Sequence, residues 1–250
     1  MINIIMHGCG GKMGRVVAEI VESDDACQIV AGIDPGMPKA NFPVFPTPAD
    51  CTVDADVIID FSTATAVPAL LEFSKAKKIP VVVCTTALTD ETMAKIHEAS
   101  NSVAVLKSAN MSIGVNLLLE LVQKATEILY DANFDIEIVE KHHNQKIDAP
   151  SGTAMALADA INEAIDQQFH YVYDRSQTRE KRERKEIGIH AVRGGNIVGD
   201  HDVIFAGRDE VIELTHRATS REVFAVGAVK AAKYLASQDA GFYTMKDVLA

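Results

Sequence analysis

A run of glycines between a predicted strand and a predicted helix limits the possible folds of this chain more than any other feature. Residues 2–6 are apolar and predict a buried strand, and residues 13–22 predict a helix with an apolar face. Gly8, Gly11 and Gly14 lie in the connecting loop. Glycines permit a tight turn and let backbone amides approach a phosphate, and a helix start favours an anion. The loop therefore predicts the first βαβ unit of a dinucleotide-binding domain.

The spacing in this loop is Gly8-x-x-Gly11-x-x-Gly14 and not the strict GxGxxG. Asp34 follows the next predicted strand, about 20 residues further on, where a carboxylate would accept hydrogen bonds from a ribose. An ordinary strand-to-helix turn is the alternative. A P-loop is excluded, because Lys12 does not close a GxxxxG run and is followed by Met13.

The composition limits what the chain can bind and where it can work. A formal net charge of −11 argues against a nucleic-acid partner. The four cysteines form no CxxC pair, so neither a zinc site nor a disulfide framework is expected. No apolar stretch reaches the roughly 18 residues of a membrane span, and the N-terminus lacks the basic start of a signal peptide. We therefore expect a soluble, cytoplasmic protein with no membrane partner.

The first part of the chain alternates apolar strands with helices. Strands are predicted at residues 2–6, 28–33, 57–60, 81–84 and 103–107. Helices are predicted at residues 13–22, 67–78 and 89–100. Short apolar strands separated by helices predict a parallel sheet.

The pattern changes near Asn110. The next helix, at residues 113–129, has a predicted apolar stripe of Leu117, Leu118, Leu121, Ala125 and Ile128. Further elements are predicted as strands at 134–139, 187–191, 202–205 and 211–216 and as helices at 151–165 and 222–237. Because the last three strands have no helices between them, a second domain with a mixed or antiparallel sheet is expected. The charge-dense residues 174–186 predict a solvated loop.

A histidine-rich and lysine-containing segment begins the second half. His142 and His143 are followed by Lys146, which offers a positive charge and a transferable proton. Ser151 or Thr153 can cap the next helix, whose free amides suit a carboxylate. Structural histidines and a surface lysine are the plainer alternatives. Metal binding is disfavoured because no third ligand has metal-site spacing, and a hydrolase because Ser151 is not in a GxSxG elbow.

Residues 140–154 reproduce a signature of the form E-x-H-H-x-x-K-x-D-A-P-S-G-T-A. Other, shorter motifs are found along the chain. They are Asp60-Phe61-Ser62, Thr85-Thr86, Ala109-Asn110-Met111-Ser112-Ile113-Gly114-Val115-Asn116, Arg193-Gly194-Gly195, Gly199-Asp200-His201, Thr215-His216-Arg217-Ala218, Ser220-Arg221 and Phe224-Ala225-x-Gly227-Ala228. In these motifs the chain resembles the dihydrodipicolinate reductase family of lysine and diaminopimelate biosynthesis. The motifs span nearly the whole chain in order.

The resemblance implies an α/β enzyme with a Rossmann-type parallel sheet domain and a second α+β domain with a mixed sheet. Residues 1–110 and 222–250 would form the dinucleotide-binding domain, and residues 111–221 the substrate-binding and oligomerisation domain. The implied reaction transfers hydride from NADH or NADPH to a cyclic dicarboxylate of the dihydropyridine type. A homotetramer formed through the sheet of the second domain is also implied.

Site residues follow from the matched motifs. Those expected to contact the cofactor are Gly8, Gly11, Lys12, Met13, Gly14, Asp34, Phe61, Thr85, Thr86, Ala109 and Met111. Those expected to bind a substrate carboxylate are His143, Lys146, Ser151, Gly152 and Thr153. The catalytic pair would be His142 and Lys146, with no metal; the sequence leaves open which of the two delivers the proton.

Two residues depart from the family pattern. Cys84 stands where glycine is common, which affects the packing expected around the nicotinamide. Pro35 follows Asp34 where some members have an arginine, so the cation nearest in sequence would be Lys12 or Lys39. We therefore expect NADH to serve at least as well as NADPH.

Two other functions compete with this one. A two-domain dehydrogenase acting on an aldehyde or a sugar would share the glycine loop, but it would not explain the segment from His142 to Thr153. A dinucleotide-sensing regulatory protein would need a partner or DNA-binding module, and the sequence offers none.

Overall fold

The computed structural model describes residues 1–166 and 168–250. The chain divides into two compact units. The first comprises Met1–Ile113 and Glu222–Ala250, and the second comprises Gly114–Arg221. No helix among the described residues combines the length and the apolar character that crossing a membrane requires.

The helices and strands are joined by loops, of which the longest among the described residues is 173–185. In chain order they are β1 (Ile2–His7), α1 (Lys12–Glu22), β2 (Cys27–Ile33), β3 (Val44–Phe45), a 3-10 turn (Pro48–Asp50), β4 (Val57–Asp60), α2 (Val67–Lys77), β5 (Val81–Val83), α3 (Asp90–Ser100), β6 (Ala104–Lys107), α4 (Ile113–Leu129), β7 (Asp135–His142), α5 (Gly152–Glu163), β8 (His170–Val172), β9 (Glu186–Arg193), β10 (Gly199–Ala206), β11 (Val211–Ala218), α6 (Glu222–Leu235), β12 (Gly241–Tyr243) and α7 (Met245–Leu249).

The first unit is built on a parallel sheet with strand order β12-β6-β5-β4-β1-β2-β3. Residues of α1 and α6 pack on one face and residues of α2 and α3 on the other. Because both faces are covered, the central strands are nearly continuous apolar runs, as in Val57, Ile58 and Ile59 of β4. The carboxyl ends of β1, β4, β5 and β6 share one edge of this sheet.

The second unit is built on a mixed sheet with strand order β11-β10-β7-β9-β8. Strand β7 pairs antiparallel with β10 and parallel with β9. Its side chains alternate between half-buried and buried, as expected of a strand with one face on the core. The two sheets confirm the predicted α/β fold with a Rossmann-type parallel sheet and a second, mixed sheet.

The predicted stripe of α4 is largely wrong. Leu117, Leu121 and Ile128 are exposed, and the buried face instead includes Val122 and Thr126. Thr126 tolerates burial because its hydroxyl donates to the Val122 carbonyl at 2.7 Å. The leucine pattern therefore predicted the position of the helix correctly but predicted the wrong buried face.

The prediction of a solvated loop at residues 174–186 is confirmed for most of the segment, which is irregular and exposed, but Arg175, Arg182 and Glu186 depart from it. The Arg182 guanidinium is mostly buried and lies 2.8 Å from carboxylate oxygens of Asp135 and Glu137 on β7. Arg175 pairs with Glu186. Charged residues of this segment thus neutralise carboxylates on the neighbouring strands, which a charge count cannot reveal.

The sequence analysis did not predict four short elements, β3, β8, β12 and α7. Strand β3 has two residues and β12 has three, so neither can show a periodic pattern. Strand β7 extends to His142, beyond the predicted end at residue 139. His142 therefore lies on a strand, not in the loop that follows it.

Candidate functional site

The loop between β1 and α1 depends on glycine at two positions. Gly8 has a φ of +81°, and a Cβ there would lie 2.5 Å from the Phe61 carbonyl oxygen. A Cβ at Gly14 would overlap the Gly8 carbonyl oxygen. Gly11 is the N-cap of α1 and supplies no side-chain acceptor to its first amides. The loop backbone is therefore closely packed, and the first amides of α1 receive no hydrogen bond from a capping side chain. Amides of this kind can bind a pyrophosphate.

Asp34 is held against this loop. One carboxylate oxygen accepts from the Gly10 amide at 2.9 Å and the other from the Gly36 amide at 2.8 Å. Arg15, which the sequence analysis did not select, donates from Nε to the Gly10 carbonyl at 3.2 Å. Lys12 and Lys39 are exposed. The structure therefore brings Asp34, but neither predicted lysine, into hydrogen-bond contact with the glycine loop.

The carboxyl edge of the parallel sheet carries buried polar groups. His7 Nδ1 lies 2.8 Å from Asp60 Oδ1 at the ends of β1 and β4. The other Asp60 oxygen and the Thr85 hydroxyl are also buried at this edge, and Thr85 contributes to lowering the pKa of Asp60. Burial alone would raise the pKa of Asp60, but the hydrogen bond from His7 contributes to holding it below its ordinary value. Buried polar side chains beside a glycine cradle fit a polar ligand such as a dinucleotide at this edge.

The remaining residues predicted to contact the cofactor differ in exposure. Phe61 is half-buried where β4 ends, and Thr86 is exposed beyond β5. Ala109 is exposed and Met111 is buried after β6. Met13 packs against the apolar cluster under α1, so it can contact a ligand only with its remaining exposed surface.

Two residues on one face of β7 form the centre of the second site. Glu140 is fully buried, and its Oε2 lies 2.6 Å from His142 Nδ1. The same carboxylate accepts both terminal nitrogens of Arg193, each at 2.7 Å, and the Ser151 amide at 3.0 Å. A carboxylate with this many donors is ionised, so it accepts the Nδ1 proton of His142 and leaves Nε2 as the acceptor nitrogen.

The loop after β7 carries the predicted lysine. Lys146 Nζ lies 2.8 Å from an Asp148 carboxylate oxygen. His143 Nε2 lies 3.2 Å from an Arg221 terminal nitrogen. The Arg221 guanidinium thus lies beside His143, and the Lys146 ammonium nearby in the loop is paired with the Asp148 carboxylate. Two cations near the loop suit an anionic ligand.

The start of α5 is capped by one of the two predicted residues. Ser151 is the N-cap, and its hydroxyl accepts from the Ala154 amide at 3.2 Å. The same hydroxyl lies 3.1 Å from His201 Nε2. Gly152 and Thr153 form the first helical turn, and a Cβ at Gly152 would meet no atom within 4 Å. The helix start is therefore open to a ligand on this side.

Burial sets the protonation of the histidines here. It lowers the pKa of His142, and the hydrogen bond to Glu140 opposes part of that shift. Burial and the neighbouring His142 ring lower the pKa of His201 to about 4. Burial alone would raise the pKa of Glu140, but the hydrogen bonds from Arg193 and His142 hold it below its ordinary value. At neutral pH the imidazoles of His142 and His201 are therefore neutral, and the Glu140 carboxylate is ionised.

Sequence analysis did not assign roles to Glu140, Arg193 or His201. Glu140 and His142 are two residues apart, so a strand extended to residue 142 would have placed them on one face. Arg193 and His201 lie far along the chain and meet them only through the pairing of β7 with β9 and β10. Of these contacts, only the one between Glu140 and His142 could have been predicted from a local sequence pattern.

Comparison with known proteins agrees with this geometry in both units. The family models for dihydrodipicolinate reductase, N-terminus and C-terminus, match residues 2–111 and 114–249. A 4-hydroxy-tetrahydrodipicolinate reductase of Clostridium botulinum (strain Eklund 17B / Type B) is 53% identical, covering 100% of this chain and 98% of the relative. Another, of Caldanaerobacter subterraneus subsp. tengcongensis, is 51% identical with the same coverage.

Solved structures extend the comparison. The dipicolinate-bound dihydrodipicolinate reductase of Paenisporosarcina sp. TG-14 superposes with a TM-score of 0.79 at 26% identity, covering 98% of this chain and 97% of that one. A probable dehydrogenase of Thermotoga maritima has a TM-score of 0.65 at 11% identity over 98% of this chain and 92% of that one, and shows only that the fold is shared. The sequence signature, the two matched halves and the full-length relatives agree: this chain belongs to the dihydrodipicolinate reductase family.

Proposed function

We propose that this chain uses NADH or NADPH to reduce the dihydrodipicolinate-type intermediate, derived from 4-hydroxy-tetrahydrodipicolinate, to tetrahydrodipicolinate. The observation that carries the proposal is the buried Glu140–His142 pair with Lys146 in the adjoining loop. Family membership over the whole chain supports the same reaction.

The first unit would bind the cofactor. Gly8, Gly11 and Gly14 would hold the pyrophosphate against backbone amides, and Asp34 would accept from the adenosine ribose. Lys12, Met13, Phe61, Thr85, Thr86, Ala109 and Met111 complete the proposed set. A reduced nicotinamide bound at this edge supplies a hydride. The buried polar side chains of Asp60 and Thr85 support a polar ligand there.

The second unit would bind the dicarboxylate and supply the proton. His143, Lys146, Ser151, Gly152 and Thr153 would surround one carboxylate, because a desolvated anion needs several donors. The ammonium of Lys146 would donate the proton that balances hydride addition. His142, whose lowered pKa favours the neutral ring with Nε2 as the acceptor nitrogen, would orient the proton donor or act as the base that accepts a proton at Nε2.

A spectrophotometric assay tests the reaction. Substrate generated in place by the preceding synthase is added with NADH or NADPH, and loss of the reduced cofactor is followed. We expect oxidation that depends on this substrate, with simple aldehydes and sugars inactive. Equal rates with aldehydes would support a general two-domain dehydrogenase, and binding of the cofactor without turnover would support a sensing protein.

We also propose that four copies associate through the sheet of the second unit in the cytoplasm. The sequence resemblance supports this assembly. Sedimentation equilibrium of the purified chain measures its mass directly, and a single monomeric species at micromolar concentration would contradict the proposal.

A further inference from the structure

One arginine in the second unit contacts the hydrogen-bond partners of both residues proposed to take part in proton transfer. Arg193 is the last residue of β9 and lies opposite His142 in the pairing with β7. Its terminal nitrogens meet the two Glu140 oxygens, each at 2.7 Å, in a bidentate arrangement. One of them also donates to the Asp148 carbonyl at 2.6 Å. A single side chain therefore joins the strand that carries His142 to the loop that carries Lys146.

The contact with Glu140 matters because this carboxylate is fully buried. An unpaired buried carboxylate takes up a proton or is excluded from the core. The fork of a guanidinium matches both oxygens and fixes the plane of the carboxylate as well as its charge. That plane in turn directs Glu140 Oε2 toward His142 Nδ1.

The contact with Asp148 restrains the loop. Asp148 holds Lys146 through its carboxylate while its carbonyl accepts from Arg193. Two backbone hydrogen bonds run nearby, from Gly194 to the His142 carbonyl at 2.9 Å and from Asn144 to the Gly195 carbonyl at 3.2 Å. Asp148 itself is exposed, and the guanidinium ties its carbonyl to the sheet of the second unit.

We propose that Arg193 is a positioning residue that fixes His142, through Glu140, and Lys146, through Asp148, in one geometry for proton transfer. This inference rests on the proposed function of the same site. It assigns to Arg193 no contact with the substrate. Removing the guanidinium would leave both residues present but free to adopt other orientations.

The charged and titratable groups facing His142 are Glu140, Lys146, Arg193 and the His201 ring, whose centroid lies 5.2 Å away. The positive charge of Arg193 is one of the influences that lower the pKa of His142. The Glu140 contact, which raises that pKa, has a larger influence and depends on the carboxylate plane that the guanidinium fork fixes. Loss of the fork should weaken this contact, so the pKa of His142 should fall, even in Arg193→Lys, which keeps the charge. A purely structural arginine elsewhere in the sheet would not produce this change.

Arg182 provides the matched control. It is buried to a similar degree, bridges carboxylates of Asp135 and Glu137 on the same strand, and donates to the Glu186 carbonyl at 2.6 Å. We would compare Arg193→Lys and Arg193→Ala with Arg182→Lys. The measurements are kcat and KM against pH, the NADH dissociation constant, and the titration of the His142 ring by NMR without substrate.

For the Arg193 variants we expect kcat to fall at least about 10-fold, the NADH dissociation constant to stay within about twofold, and the His142 titration to move to lower pH. Added guanidinium should restore part of the turnover of Arg193→Ala. Arg182→Lys should show no shift in the His142 titration. These results together support the positioning role.

An unchanged His142 titration in folded Arg193→Lys would overturn the proposal, as would turnover within twofold of the parent chain. The NMR titration needs no substrate, so it stays informative if the parent chain proves inactive on the dicarboxylate. Inactivity of the parent would contradict the proposed function instead. If Arg193→Ala does not fold, Arg193→Lys carries the test, since it keeps the charge and loses only the fork.

Discussion

The first unit forms its candidate site mainly from backbone, whereas the second forms its site from charged and polar side chains. At the glycine loop the decisive atoms are amides and carbonyls packed so closely that Gly8 and Gly14 have no room for a Cβ. At β7 the decisive atoms belong to Glu140, His142 and Arg193, which are joined over a long sequence separation. The first site is therefore sensitive to added atoms and the second to removed ones.

This difference follows from what each site is proposed to handle. A pyrophosphate can be bound by repeated backbone donors, which keep their place without side-chain entropy. Proton transfer needs groups whose charge can change, and a buried group of that kind needs partners that hold its charge state. Substitutions of opposite kinds should consequently separate cofactor binding from turnover.

The largest expected effect is the removal of Lys146. Lys146→Ala should lower kcat at least about 100-fold, the lower range for the loss of a general acid. The NADH dissociation constant should stay within about twofold, because Lys146 belongs to the second unit. Steady-state kinetics and fluorescence titration with NADH measure the two quantities.

Lys141→Ala is the matched control for that experiment. Lys141 also lies on β7, but it pairs with Asp202 at 2.5 Å and contacts none of the proposed catalytic residues. Its turnover should remain within about threefold of the parent chain, because the lost ion pair is only partly buried and involves none of the proposed catalytic side chains. Near-normal turnover in Lys146→Ala would remove Lys146 from the proton-transfer role.

The second largest effect should come from adding one methyl group to the first unit. Gly14→Ala forces the new Cβ against the Gly8 carbonyl, so the loop must shift at a cost of roughly 1–3 kcal/mol. We expect NADH to bind roughly 10- to 100-fold more weakly. Isothermal titration calorimetry measures this affinity, and circular dichroism verifies that the variant is folded.

Gly194→Ala adds the same methyl where no atom lies within 4 Å. Its affinity for NADH should match the parent chain. If Gly14→Ala also binds NADH normally, the loop accommodates a side chain and the backbone cradle is not what limits binding.

The two sites also differ in how far sequence alone could predict them. The glycine loop is local: strand, glycines and helix are contiguous, so residue spacing predicts the turn and its position. The Glu140–Arg193 contact depends on the pairing of β7 with β9, and no local pattern encodes that pairing. For the same reason the buried face of α4 was mispredicted, since its partners lie elsewhere in the second unit.

A smaller effect should follow from the loss of one hydroxyl at the start of α5. Thr153→Val should raise KM for the dicarboxylate roughly 10-fold, as expected for one hydrogen bond to a charged group. If the hydroxyl binds ground and transition states alike, kcat should change much less. Initial-rate kinetics over a range of substrate concentration separates the two constants.

Thr153→Ser serves as the conservative comparison, because it keeps the hydroxyl and removes only the methyl group. It should restore KM to within about threefold of the parent chain. An unchanged KM in Thr153→Val would mean that backbone amides alone hold the carboxylate, and the second site would then resemble the first.

The smallest expected effect concerns the choice between the two cofactors. Asp34 is fixed by the Gly10 and Gly36 amides, so its carboxylate cannot swing away from a 2′-phosphate without losing both hydrogen bonds. Repulsion should disfavour NADPH, while the exposed cations Lys12, Lys39 and Arg15 offset part of it. An exposed ion pair contributes less than about 1 kcal/mol.

We therefore expect NADH to be used at least as well as NADPH, with both accepted. The measurement is kcat/KM for each cofactor at one ionic strength and again at higher salt. Because exposed cations are screened, added salt should reduce the NADPH value more than the NADH value. A tenfold or greater preference for NADPH would contradict this prediction and assign one of the three cations to the phosphate. Arg15→Gln would then test Arg15 first, since its contact with the Gly10 carbonyl already places it beside Asp34.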